Sequence, residues 1–239
     1  MEKIFAPLFL IAVVVFVLYI QPETDMTASD LNMTDVADTN DKKKRFFDFM
    51  RPIIDEENAK ILELRNKLLT AKKLNNDKKF VTRIAQSYSS DWNPENKNWG
   101  KLLERVDMIA PELALAQSAN ETAWGQSRFA QQGNNFFGQW CYKKGCGIVP
   151  ANRSQGATHE VAQFNNVNES VRSYIKNINT GRAYTSLRKI RGNNRAAGKS
   201  PDAIAQAGGL VNYSARGENY VSEIRSMIRV NKKLMSNKN

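Results

Sequence analysis

The chain has 239 residues, 35 of them lysine or arginine against 24 acids, a net charge of +11, two cysteines and one histidine. That is room for one sizeable domain plus extensions, and two thiols with a single imidazole cannot complete a Cys₄ zinc site, so neither a metal nor any other cofactor is expected. The charge is unevenly spread. Residues 1–41 hold seven acids and one lysine, which leaves 34 basic and 17 acidic side chains in the rest. So cationic a body is drawn to a polyanion: nucleic acid, anionic lipid or an acidic polysaccharide.

Ile4 to Ile20 is an unbroken apolar run of 17 residues, just long enough to cross a bilayer as a helix. It ends in Leu18-Tyr19-Ile20-Gln21-Pro22, a poor cleavage site, which favours an uncleaved anchor over residues 1–21 above a removed signal peptide. Lys3 and the amino terminus mark the inner side, so the bulk of the chain belongs outside the cytoplasm. Nucleic acid is then the least fitting polyanion. Residues 22–44 are acidic and poor in large apolar side chains, and read as a flexible linker. The remaining 45–239 form the domain.

Within it, apolar spacing predicts an amphipathic helix from Ile53 to Leu69 and a second over Lys79 to Tyr88. Asn93-Pro94 breaks the chain. Helices follow over Gly100 to Val106 and Pro111 to Trp124, the proline suiting a first helical position and Gly125 a C-terminal cap. Ser127 is placed to cap a short turn ending at Gly133. The strand candidates are Phe137–Tyr142, Gly147–Val149 and Ala157–Phe164. Helices are expected again near Glu169–Asn179, Ala183–Ile190, Pro201–Ala207 and Glu218–Leu234. The fold class is mainly α (α+β), one helical domain with a small β insertion.

One acid stands out. Glu121 closes the helix from Pro111, beside Trp124 and among amides. Burial there would raise its pKa and keep a proton available at neutral pH, which is what cleavage of a glycosidic bond asks of an acid. The plain alternative is a solvated helix glutamate. Glu160 is the one other acid between Glu121 and Glu169, and is a candidate partner as base or charge stabiliser. Trp124, Phe137, Trp140, Tyr213 and Tyr220, with Asn135 in the Gly-Asn-Asn loop, are candidate sugar-binding residues, since aromatic planes suit the C–H faces of sugar rings. Others of the aromatics are simply core. Cys141 and Cys146 are spaced for a hairpin closed by a disulfide, with two ordinary thiols as the alternative. His159 has no nucleophile motif around it.

The run Ala114-Leu-Ala-Gln-Ser-Ala-Asn-Glu121-Thr-Ala-Trp124-Gly125-x-Ser-Arg128-Phe129-Ala, followed by Gly133-Asn-Asn-x-Phe-Gly138, resembles the N-acetylglucosaminidase domain of glycoside hydrolase family 73. Trp140-Cys-Tyr-Lys-Lys-Gly-Cys-Gly-Ile-Val-Pro150 and Tyr213-Ser-x-Arg216-Gly-x-x-Tyr220-Val resemble more narrowly its Bax-type members. The similarity covers about Arg45 to Arg229. It implies a lysozyme-like helical domain with a small β-lobe, acting on the GlcNAc-β-1,4-MurNAc bond of peptidoglycan glycan strands. The family's catalytic glutamate falls on Glu121 and its tyrosines on Tyr213 and Tyr220. Its second acid, carried on the β-lobe, is assigned to Glu160. One departure is Thr122-Ala123 where Ser-Gly is commoner. The setting implied is the inner membrane, single-pass, with the domain in the periplasm, or release to the periplasm after signal cleavage. A muramidase or lytic transglycosylase on the same fold, and a non-catalytic wall-binding module, are the alternatives.

Overall fold

The computed structural model of the protein describes residues 25–236 apart from Asn152 and Gln155. The apolar run read as an anchor lies outside the described residues, among which no helix is long and apolar enough to cross a membrane. In chain order the elements are α1 (Thr39–Leu74), α2 (Lys78–Ser87), α3 (Trp99–Arg105), α4 (Pro111–Thr122), α5 (Arg128–Gly133), β1 (Trp140–Cys141), β2 (Gly147–Ile148), β3 (Glu160–Ala162), α6 (Val167–Thr180), α7 (Thr185–Ala196), α8 (Ala203–Ala207) and α9 (Glu218–Met235). The chain is mainly helical with one three-stranded sheet, consistent with a lysozyme-like α+β class.

α4 is the axis of the domain. Leu113 through Ala119 are all buried, the polar Gln117 and Ser118 included, which places this helix inside the core. α1, α8 and α9 enclose it, and α6 packs on α1. The main core joins Phe46, Phe47, Met50 and Ile54 of α1 to Leu113 and Leu115 of α4, Tyr174 and Ile175 of α6 and Ile224 of α9. The far end of α1 leaves this core. Its Leu68 and Ala71 join Val81, Ala85, Tyr88, Trp92, Leu102 and Val106 in a second cluster, so α2 and α3 form an arm beside the main body.

Two buried polar contacts lock these pieces together. Asn58 of α1 donates to Ile109 O at 2.8 Å and accepts from Ile109 N at 3.0 Å, which fixes the start of α4. Arg191 of α7 donates to Asp107 O, Met108 O, Asn179 Oδ1 and Glu104 O. Burial lowers its pKa to about 10, so it remains charged, and its donors serve buried carbonyls at and after the end of α3, among them Asp107 O, which also accepts from Asn179 Nδ2 at 2.9 Å.

Several sequence-based boundaries shift. The helix expected over Ile53–Leu69 runs from Thr39 to Leu74, because Asp38 caps it, accepting from Asn40 N and Asp41 N. Residues 22–44 therefore do not behave as a linker throughout. Thr39 onward is helix, and Ala28 and Leu31 are buried in the main core. Ala28 N donates to Asn134 Oδ1 at 2.8 Å, and Val167 N to Met26 O at 2.7 Å. α4 stops at Thr122, with Ala123 rather than Gly125 as its left-handed cap. Ser127 does cap α5, accepting from Ala130 N.

The β-lobe also differs from a simple hairpin. β1 and β2 both pair antiparallel with β3, which lies between them, with Trp140 opposite Val161 and Cys141 opposite Glu160. The disulfide Cys141–Cys146 thus ties β1 to the residue just before β2 at one end of the sheet. Gly147 is required for that pairing, since a Cβ there would sit 2.0 Å from Val161 O.

Candidate active site

Glu121 lies at the end of α4 and opens onto a cleft of about 810 Å³. One wall comes from the Phe137–Trp140 loop and Tyr142, the opposite one from α6 through Ser173, Tyr174 and Asn177, and the floor from Tyr184 and Tyr213. Glu121 is the one carboxylate among the described residues that line it. Burial raises its pKa, and the Glu223 carboxylate adds to this. The hydrogen bond from Tyr220 and the Arg216 charge oppose it. Arg216 and Glu223 are themselves paired at 2.8 Å.

A buried polar chain orients this acid. Tyr174 Oη donates to Gln117 Oε1 at 2.6 Å, Gln117 Nε2 donates to Tyr220 Oη at 3.0 Å, and Tyr220 Oη donates to Glu121 Oε1 at 2.9 Å. The direction is forced. Tyr174 occupies the amide oxygen of Gln117, so its nitrogen must face Tyr220, and the single Tyr220 proton is left for Glu121. Burial pushes the Tyr174 and Tyr220 hydroxyls far up, so both stay protonated donors. Gln117 itself is fully buried one helical turn before Glu121, which lets one helix carry both groups on one flank.

The other oxygen, Oε2, faces Gly138. A Cβ added at Gly138 would lie 3.5 Å from it, and the positive φ of +62° disfavours any side chain there. Asn135 builds this corner. Its Oδ1 accepts from Phe137 N and Gln139 N, and its Nδ2 donates to Gln139 O and Ala162 O. With every polar atom committed to backbone, Asn135 shapes the loop instead of meeting a ligand.

The remaining sequence candidates divide. Phe137 lines the cleft and stacks on Tyr174 with ring centroids 3.9 Å apart. Tyr213 lines it too, stacked on Tyr220 at 5.1 Å and donating to Phe137 O at 3.2 Å. Trp140 is 58% exposed at the rim, one face against His159 at 4.3 Å and the other open. Trp124 is elsewhere. It packs edge-on to Phe46 and Phe47, which makes it a core residue that shapes the turn after Glu121.

Glu160 is not among the residues lining the cleft. Its two oxygens accept from Gly145 N at 3.0 Å and Gly147 N at 2.9 Å, and these amides hold its pKa below the usual glutamate range. It lies within 4.8 Å of the sulfurs of Cys141 and Cys146, which are bonded to each other and so offer no thiolate to a metal.

Sequence reasoning missed Gln117, Tyr174, Asn177, Tyr184 and Gly138. A signal existed for Asn177. Ser173, Asn177 and Thr180 form a polar stripe at helical spacing on α6 opposite the apolar Val171, Ile175 and Ile178.

A mainly helical domain with a half-buried glutamate over an aromatic- and amide-lined cleft is the architecture of a glycan-cleaving enzyme, and comparison with known proteins agrees. The glucosaminidase family, described as mannosyl-glycoprotein endo-beta-N-acetylglucosaminidase, matches residues 96–233. The chain belongs to that family, and is a glycoside hydrolase of the endo-β-N-acetylglucosaminidase type. It is also 33% identical over 201 residues to Protein bax of Escherichia coli (strain K12), a match covering 82% of this chain and 72% of that one. The domain is accordingly of the Bax type, similar to glycoside hydrolase family 73. No solved structure matches the chain.

Proposed function

We propose that the protein hydrolyses the β-1,4 bond between N-acetylglucosamine and N-acetylmuramic acid in peptidoglycan, with Glu121 as general acid. The observation that carries this reading is the lone, half-buried carboxyl of Glu121 in the cleft, its pKa raised by burial and its Oε1 tied to Tyr220. Because Oε1 receives the Tyr220 proton, the acid's own proton belongs on Oε2, the oxygen that Gly138 leaves uncovered. From there it passes to the departing glycosidic oxygen as the C1–O bond breaks.

With no second acid lining the cleft among the described residues, the substrate's own 2-acetamido group is the better candidate for the other half of the reaction. Its carbonyl oxygen bonds to C1 as the leaving oxygen takes the proton. Water then opens that ring and returns a proton to Glu121. In this reading Glu160 holds the Gly145–Gly147 turn, which positions Trp140 and Tyr142 at the rim. Trp140 offers its open face to a sugar ring. The cationic body suits a wall polymer rich in carboxylates, and residues 1–21 would hold the domain to the periplasmic face of the inner membrane.

Hydrolysis of purified peptidoglycan, with mass spectrometry of the new reducing ends, tests the proposal. N-acetylglucosamine ends are expected, and Glu121→Gln should lower turnover by about a thousandfold while keeping wall binding. Anhydro-muramic ends would instead assign a lytic transglycosylase. Undiminished activity of Glu121→Gln would remove the glutamate from its role.

A further inference from the structure

Beside the catalytic cleft lies a second groove of about 600 Å³, between α6 and the α1–α2 arm. Its walls are apolar, with Leu64 of α1, Ile84 and Tyr88 at the end of α2, and Phe164 just before α6. The two hollows meet, because Ser173 and Lys176 line both. Ile84 and Tyr88 precede residue 96, where the match to the glucosaminidase family begins, so the groove is made with a part of the chain that the family domain does not include.

Lys176 stands at the junction. Its Nζ is 3.4 Å from the centroid of the Tyr88 ring and 2.8 Å from Ser87 Oγ. It has no carboxylate partner among the described residues. The other charges of the groove are engaged. Arg172 makes a two-pronged contact with Glu57, both distances 2.9 Å, and Glu169 accepts from the backbone and side-chain nitrogens of Asn165. Burial brings the Lys176 pKa down to about 8, which leaves it mostly charged at neutral pH and poorly solvated. A cation held by a ring and a hydroxyl, at the mouth of an apolar groove, is complementary to a carboxylate on a small, otherwise apolar chain.

We propose that this groove receives the carboxylate-bearing peptide stem of the wall polymer, with Lys176 pairing with a stem carboxylate while the glycan occupies the cleft. The proposal rests on the peptidoglycan reading above. In that polymer the stem branches from the sugar next to the bond being cut, so it must leave the cleft sideways. The opening at Ser173 and Lys176 leads out of the cleft in this way. Small alanine-like side chains would lie against Leu64, Ile84 and Phe164, and the acid end would meet Lys176 at the gate.

Two polymers separate the possibilities: intact peptidoglycan, and the same glycan after its stems have been removed by an amidase. Ile84→Glu sets a like charge in the groove without touching the cleft. It should raise KM for the intact polymer about tenfold and leave cleavage of the stripped glycan unchanged. Lys176→Gln should also raise KM for the intact polymer, with Lys176→Arg restoring it. Equal loss on both polymers for Ile84→Glu would make the groove part of the sugar path, and no change on either would make it idle; each overturns the proposal. A sugar-free acidic stem peptide, titrated onto the full chain by calorimetry, gives an independent measure. Saturable binding, weakened about tenfold by Ile84→Glu, supports the groove even where neither polymer is cut, a result that would count against the proposed bond alone. Absence of peptide binding while both polymers are cut overturns the groove and spares the bond.

Discussion

As the proposed general acid, Glu121 would have to hold a proton near neutral pH and yet release it, and the burial that favours the protonated form has a cost in stability. Its pKa is raised, chiefly by burial, so the folded protein binds that proton more tightly than the unfolded chain. Between the ordinary glutamate value and the raised one, stability therefore falls as pH rises, and above the raised value the full cost remains. Glu121→Gln removes the charge and keeps an oxygen for Tyr220. Thermal unfolding should show this variant more stable than the parent at pH 7, with the gain gone below about pH 4. Tyr220→Phe acts in the opposite chemical sense. The hydroxyl it removes stabilises the Glu121 carboxylate, so the alkaline limb of the pH–rate profile should move upward as the acid form persists. Turnover should fall about 10- to 100-fold, because Glu121 loses its orienting partner and Gln117 Nε2 is left buried without an acceptor. An unmoved alkaline limb would detach Tyr220 from the titration of Glu121.

At the scale of elements, the β-lobe shows how a carboxylate can be needed without being chemical. Glu160 sits opposite Cys141 and binds the amides of Gly145 and Gly147. Its lowered pKa means that its contribution to stability is present above the usual glutamate range and is lost as pH falls through the lowered value. Glu160→Gln sets an NH₂ group against one of those amides. The variant should melt below the parent at pH 7, with the difference shrinking in acid, and should retain cleavage within about tenfold. A loss as deep as that of Glu121→Gln would return Glu160 to the reaction. The lobe also marks the limit of what was legible in the sequence. Local devices could be read directly: Pro111 opening α4 and Ser127 capping α5 act within three residues. Strands of two or three residues carry no readable period, so placing β3 between β1 and β2 could not be inferred. The chain from Tyr174 through Gln117 to Tyr220 spans separations of 57 and 103 residues, and only the packed core brings those hydroxyls to one amide. Trp124 misled for a related reason, since its neighbour in sequence is the cleft and its neighbours in space are Phe46 and Phe47.

Over the whole molecule, the stretch that composition marks as a linker takes part in the domain. Leu31 is 5% exposed and lies against Gly125, where a Cβ would come within 2.4 Å of Leu31 Cδ2. Gly125 follows Ala123 and Trp124, and all three have positive φ, so Leu31 covers the sharp corner that the chain turns just after Glu121. The same stretch reaches α6. Met26 O accepts from Val167 N, and Asp25 Oδ1 accepts from Nδ2 of Asn166, the residue that caps α6. α6 in turn carries Ser173, Tyr174 and Lys176 to the cleft and the groove. The segment before α1 thus braces the turn behind the acid and the start of the helix opposite it, although it lies outside the cleft. A passive tether would tolerate Leu31→Ala with a change below about 0.5 kcal/mol. As a core residue, Leu31 should instead cost about 2–4 kcal/mol when truncated, since the corner at Gly125 cannot collapse into the space left behind. For a domain of this size that is a fall of roughly 5–10 °C in melting temperature. Cleavage measured well below the new melting point should survive, because no group that lines the cleft is changed. Unaltered melting would return the segment to a tether.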